Sequence, residues 1–269
     1  MRRILFFTVA MFFSMATCSQ TVSRQLSTGR NAFEVRQSFF FEDGRTLDEV
    51  MTTSWDPSYT FITEQALRSA SNALLERVEF SYSEGRNLLL TKTTRDVESR
   101  LRNSVAFTYN PQGLVIRESL RDNRNREMSS YVFGYDNRGN LVSRILNNRT
   151  GSPMVETTFV YDNNRRVRSE TRDMGGNLIS ATAFRYDTQG NLVGEDVSNS
   201  DRVITSRVAA EWRNGFEVER STVGSDGVVR LLERNEYDDG LLRTKTIENR
   251  QGQSTQVIRF EYDIPVARR

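Results

Sequence analysis

Phe133-Gly134-Tyr135-Asp136-Asn137-Arg138-Gly139-Asn140-Leu141 and Phe184-Arg185-Tyr186-Asp187-Thr188-Gln189-Gly190-Asn191-Leu192 are two copies of one pattern. Phe and Tyr two residues apart lie on the same face of a strand, because successive side chains alternate across it. Asp then supplies a carboxylate that accepts from backbone amides two residues on, and Gly accepts a positive φ at no steric cost. Each copy therefore reads as the end of a strand, a turn built on Asp136 and Gly139 or Asp187 and Gly190, and the start of a returning strand.

Further copies lie on both sides. Phe80/Tyr82, Phe107/Tyr109, Phe159/Tyr161 with Asp162, and Phe260/Tyr262 keep the pattern, and Trp55, Trp212 and Tyr237 continue it in weaker form. From Tyr82 to Tyr262 the spacings are 27, 26, 26, 25, 26, 25 and 25 residues, and Trp55 lies 27 before Tyr82. Such periodicity marks one continuous array of nine units over Phe33 to Asp263 rather than several domains. Residues 33–56 even resemble residues 216–238, which ties the first unit to the seventh.

Within a unit, stretches such as Thr157 to Val167 and Thr182 to Val193 alternate aromatic or β-branched residues with polar ones, as half-buried strands do. Residues 63–77 carry good helix formers, but their place in the repeat predicts strand, turn, strand. The expected fold is all-β: an antiparallel meander of about nine hairpins, or about 18 strands. About 18 strands at ~4.8 Å make a sheet ~86 Å wide, too wide to stay flat. Curling, as a flattened barrel or a coiled sheet, lets the Phe and Tyr ladders meet as the buried layer.

The motif Phe-x-Tyr-Asp-x-x-Gly-Asn-Leu, clearest at Phe133 to Leu141 and Phe184 to Leu192, resembles the YD repeat of Rhs and teneurin-type proteins. Large members of that family build a spiralling β shell around a toxin or a hollow interior. This chain has neither a long array nor a self-cleaving core region nor an appended toxin domain, so encapsulation is not implied. It is most similar to small exported YD-repeat proteins.

Residues 1–18 read as an export signal. Arg2 and Arg3 precede the apolar run Ile4 to Phe13, too short to span a bilayer. Met15-Ala16-Thr17-Cys18 resembles a lipoprotein box with Thr17 in place of the usual Gly or Ala, so Cys18, the chain's one cysteine, is the expected lipidation site. Cleavage after Ser14-Met15-Ala16 is the alternative. Residues 19–31 are polar and aperiodic and read as a tether to a single domain at 32–269. The expected address is exported: periplasmic, or associated with the outer membrane through a lipid anchor.

Chemistry is scarce. The chain has 269 residues and no His, which removes imidazole catalysis and His-based metal sites. Cysteine catalysis falls with Cys18's position. Paired carboxylates, for example Asp238 with Asp239 or Glu42 with Asp43, read as solvated turn residues. Single aspartates such as Asp136, Asp162, Asp187, Asp238 and Asp263 make poor calcium sites without a ligand-dense loop. No cofactor is expected. The 37 basic and 35 acidic residues nearly cancel, giving no electrostatic case for nucleic acid. Arg outnumbers Lys 35 to 2, in keeping with cross-strand ion pairs and stacking on aromatic rings.

The expected function is therefore non-enzymatic: an envelope-associated scaffold or binding surface for a glycan or protein partner. An outer-membrane β-barrel pore is the alternative. A carboxylate-dependent glycan hydrolase, which needs no His, is the second.

Overall fold

The computed structural model describes residues 34–263 except 57–59 and 86. The export signal, Cys18 and the tether at 19–31 lie outside the described residues, as do the ends of the 32–269 domain. Among the described residues there is no helix. Eighteen strands follow in chain order: β1(Glu34–Phe40), β2(Leu47–Trp55), β3(Ile62–Ser69), β4(Leu74–Tyr82), β5(Leu89–Arg95), β6(Leu101–Tyr109), β7(Val115–Asp122), β8(Glu127–Tyr135) and β9(Leu141–Asn147) form the first half. The second half holds β10(Pro153–Asp162), β11(Arg165–Asp173), β12(Leu178–Tyr186), β13(Leu192–Asn199), β14(Ile204–Arg213), β15(Phe216–Gly224), β16(Val229–Asp238), β17(Leu241–Asn249) and β18(Ser254–Asp263).

Every strand pairs antiparallel with its neighbours in sequence, and β1 also pairs with β18, from Glu34 opposite Asp263 to Phe40 opposite Val257. The sheet is thus a closed meander barrel, which leaves no free edge. Each repeat unit is an even strand followed by an odd one. The ninth unit has no odd strand after β18, and β1 fills that place. Residues 63–77 are strand, turn, strand, with Asn72 at φ 66° in the turn.

The uneven repeat spacing has a single source, the turn after each Tyr. Tyr161 pairs across the hairpin with Arg166, Trp212 with Glu217 and Tyr237 with Leu242, through two-residue turns such as Asn163-Asn164, where both residues have positive φ. Those are the units after which the next aromatic comes 25 residues later. Where the turn is Asp-x-x-Gly-Asn, Tyr135 pairs with Leu141 and Tyr186 with Leu192, and the spacing is 26. Tyr82 pairs with Leu89, Trp55 with Ile62, and there it is 27. The hydrophobic pattern stays in phase because only the loop absorbs the difference.

The Asp-x-x-Gly-Asn turns are built as the residue types require. Asp136 Oδ1 accepts from the amides of Arg138 and Asn140 at 2.9 and 2.8 Å, and Oδ2 accepts from Asn140 Nδ2. Asp187 does the same with Gln189 and Asn191. Gly139 and Gly190 sit at φ 82° and 89°, where a β-carbon would be strained. Asp162 plays another part: it ends β10 before the Asn163-Asn164 turn and accepts from Asn163 Nδ2 at 3.1 Å.

A register shift accompanies the aromatic in each even strand from β2 to β16, for example between Gly134 and Tyr135 and between Arg185 and Tyr186. Bulges bend and twist strands, so a repeated bulge curls the sheet evenly.

Candidate binding site on the inner wall

In a closed sheet the two faces separate by alternation, and β14 shows it plainly. Ile204, Ser206, Val208, Ala210 and Trp212 are shielded, whereas Thr205, Arg207, Ala209, Glu211 and Arg213 are exposed. The face that carries the repeat aromatics is therefore the inner wall. The repeat phenylalanines and tyrosines on it are only half-buried, whereas Phe39, opposite Ile258, is buried. The fully buried inner positions include Val78 and Val105, two residues before Phe80 and Phe107, with Thr157 and Ile258 at the same step of their units. This modifies the expected buried ladder: the aromatic rings line a shielded space and do not close-pack into a core. Extended backbone approach is confined to strands adjacent in the ring.

The tyrosines have a task that the Phe positions lack. Tyr82 donates its hydroxyl to the Ile62 carbonyl at 2.9 Å, and Tyr109, Tyr135, Tyr186, Tyr237 and Tyr262 donate to Leu89, Val115, Arg166, Glu217 and Leu242. Trp212 Nε1 donates to Leu192 at 2.9 Å. In all seven the acceptor lies 20 residues upstream, at the start of the preceding odd strand. Burial pushes the Tyr82 and Tyr262 phenols up to about 12, so they stay protonated donors. A readable signal existed: the position holds Tyr or Trp in every unit and never Phe, as an aromatic with an obligatory polar handle requires.

The wall's charge comes from the odd strands. Pairing sets Lys92 opposite Phe80, Glu118 opposite Phe107, Arg144 opposite Phe133, Ser169 opposite Phe159 and Glu195 opposite Phe184. The belt continues with Arg220 opposite Ala210 and Lys245 opposite Asn235, and Gln37 and Gln65 complete it opposite Phe260 and Thr53. From Lys92 to Lys245 these residues recur at 26, 26, 25, 26, 25 and 25. Both lysines of the chain stand at this one position. Sequence reading missed the belt because its residue types vary from unit to unit, and only transfer of the Tyr spacing onto the odd strands reveals it.

Two sectors differ. From β4 to β12 the belt faces Phe rings. Lys92 Nζ stands 6.0 Å from the Phe80 ring, and Arg144 lies 5.1 Å from Tyr131. Arg166 lies between Phe159 and Phe184, at 5.6 and 4.2 Å. Burial raises the Glu118 carboxyl, with Lys92 and Arg144 pulling the other way. From β13 to β17, Ala210 and Asn235 replace the Phe. Arg220 gives a two-point contact to Glu217 at 2.9 and 2.7 Å and stands 3.5 Å from Glu195, while Lys245 pairs with Glu233. These five side chains keep between 18% and 29% of their exposure, so water reaches them. Asn235 Nδ2 donates to the Glu217 carbonyl at 3.0 Å, and its Oδ1 is buried with no hydrogen bond, as is Trp55 Nε1.

Asp43 and Asp239, from those two carboxylate pairs, do turn work. Asp43 caps the amides of Arg45 and Thr46 at 2.8 Å, and its hydrogen bonds with Thr46 lower its carboxyl to about 2. Asp239 sits at φ 50° in the two-residue turn after Asp238. On the inner wall, burial first, then Asp48 and Glu76, raise the Glu49 carboxyl. A shallow cleft of about 260 Å³ opens on the rim beside Asp136, Asn140, Tyr161 and Asn164, but Asp136 is committed to its own turn.

The outer wall is polar. Arg77 meets Glu64 at 3.3 Å, Arg95 meets Glu79 at 2.8 Å, and Arg234 lies between Glu219 and Glu248.

No protein-family model and no curated protein matches the sequence. Among solved structures, a porin-like protein from Bacteroides uniformis is 9% identical with a TM-score of 0.46, covering 87% of this chain and 98% of that one. A porin-like protein from Bacteroides vulgatus is 9% identical with a TM-score of 0.36, over 88% and 100%. The TcdB2-TccC3-Cdc42 structure is 12% identical with a TM-score of 0.39, over 83% of this chain and 16% of that one. Likeness at this level carries nothing about function.

Proposed function

We propose that this chain is an exported, YD-repeat-like barrel that binds a glycan or protein partner and performs no catalysis, tethered at the cell envelope through a lipid on Cys18. The observation that supports it best is the inner wall: aromatic rings and paired charges that are shielded yet neither close-packed nor dry. That combination offers stacking faces and hydrogen-bonding groups together. Charged belts on both walls suit an aqueous compartment. A lipid-facing band would set groups such as Arg95 and Arg234 against hydrocarbon, at about 2–4 kcal/mol each near the midplane.

Envelope fractionation, mass spectrometry of the mature N-terminus, a glycan array and an envelope-protein pulldown test this reading. A diacylglyceryl-modified Cys18 and a specific partner in either binding screen are expected. An N-terminus at Thr17 removes the anchor. A heat-modifiable barrel that needs detergent supports the pore alternative instead, and turnover of a glycan by the purified protein supports the hydrolase.

A further inference from the structure

Six of the nine units carry Phe beside the belt residue; in the first unit Thr53 takes its place and is held by Gln65 Nε2 at 3.2 Å. Units carrying Phe present a phenyl ring beside the belt residue. In the seventh and eighth units the ring is gone, Ala210 standing opposite Arg220 and Asn235 opposite Lys245. Three carboxylates, Glu195, Glu217 and Glu233, gather around those two cations. Tyr237 and Phe216, 4.8 Å apart between ring centroids, stand beside them. One acceptor, Asn235 Oδ1, is buried and unused.

Resting on the binding reading above, we infer that the β13–β17 sector of the inner wall is the recognition site, and that its ligand is a neutral oligosaccharide. Sugar hydroxyls both donate and accept, which matches cations and carboxylates interleaved at short range. Carbohydrate C–H faces stack on aromatic rings such as Tyr237 and Trp212. Arg220, Lys245 and Arg243, the last 5.6 Å from the Tyr262 ring, are balanced by the three carboxylates, so the sector has no excess positive charge to hold a polyanion. A purely apolar ligand would strip water from these ion pairs and return no hydrogen bond. At these two units no phenyl ring covers the polar groups, which retain water, whereas in the six Phe units a ring stands beside the belt residue.

The chain's two tryptophans, Trp55 and Trp212, occupy the aromatic position of the inner wall and report binding directly. Their emission is followed while the full-length protein is titrated with maltohexaose, cellohexaose and N-acetylchitohexaose, with an oligogalacturonide as the acidic counterpart. A saturable change with at least one neutral oligomer is expected, weakened more than 10-fold by Ala210→Phe/Asn235→Phe, which restores the repeat. Lys245→Gln is a milder second variant, expected to weaken binding several-fold. The outer-wall variant Arg95→Ala should bind as the parent does. Circular dichroism and melting confirm that each variant folds. No response to any neutral oligomer, preference for the acidic one, or affinity untouched by the folded variants overturns the inference. A protein partner captured in the pulldown and lost on outer-wall substitution would overturn it too, while leaving the broader binding reading intact.

Discussion

The β4–β12 sector and the β13–β17 sector share strand pairing, turn chemistry and the tyrosine hydrogen bond, yet their inner walls follow opposite rules. In the first, a half-buried Phe lies beside each belt residue, and Lys92, Arg144 and Arg166 stand within reach of aromatic faces. In the second, the belt residues hold one another through Arg220, Glu195, Glu217, Glu233 and Lys245. One scaffold therefore tolerates two ways of filling the same space, because backbone pairing around a closed ring fixes the geometry independently of either. What holds the barrel together is common to all units, and what distinguishes it is confined to the units that depart.

The largest effect should come from the polar sector. Arg220→Met removes the cation around which three carboxylates gather, and a charge left without its partner costs more than the pair contributed. With part of the cluster still wet, a loss of about 2–3 kcal/mol is expected by denaturant unfolding. A loss near zero would mean that water screens the cluster and that the two sectors do not differ energetically. In the aromatic sector, Phe107→Ala should cost about 2 kcal/mol, below the range for fully buried phenyl groups because the ring is half-exposed. If Phe107→Ala proves the more damaging of the two, the contrast is reversed.

How far the sequence reveals this division depends on where the repeated residues lie. Strand number, order and the Asp136–Gly139 and Asp187–Gly190 turns follow from residue types whose physical roles are local. Asp162 shows the limit: Phe159-Val160-Tyr161-Asp162 looks like its siblings, but Asn163-Asn164 makes a shorter turn, and the 25-residue spacing to Tyr186 records it. Curling into a flattened barrel follows from the width of about 18 strands, but that β1 closes it is not legible, since pairing between residues 34–40 and 257–263 leaves no local signature. The belt is hidden for a different reason. Lys92, Glu118 and Arg144 differ in type, and what they share is position relative to Phe across a strand pair, a relation that exists only once the hairpin has formed.

A smaller effect tests what the sectors have in common. Tyr186→Phe and Tyr237→Phe each delete a hydroxyl bonded to a carbonyl 20 residues upstream, one at the border of the aromatic sector and one within the polar sector. Both should lose about 1 kcal/mol, the usual net value of such a bond. Tyr161 makes no such bond among the described residues, so Tyr161→Phe should change little. No loss at any of the three would show that the stability of this position comes from the ring alone.

The smallest effect concerns pH and sets the one carboxylate of the aromatic belt against those of the polar sector. Burial raises the Glu118 carboxyl in the folded barrel more than Lys92 and Arg144 lower it. The folded state then holds its proton to higher pH than the unfolded chain does, so over that window the native state binds more protons. Stability must fall as pH rises from the ordinary glutamate value through the raised one. Glu118→Gln removes this dependence, and its melting temperature should vary less than the parent's as pH rises above the ordinary glutamate value. The capping carboxylates work in the opposite sense: hydrogen bonds from Arg126 hold Asp122 at about 2, so its contribution is present above the ordinary aspartate value and is lost as pH falls toward 2. Glu118→Gln should therefore flatten the stability curve above the ordinary glutamate value and leave the acid limb unchanged. A change confined to the acid limb would mean that Lys92 and Arg144 hold Glu118 ionised, and the aromatic sector would then carry an ion-paired belt of the same kind as its neighbour.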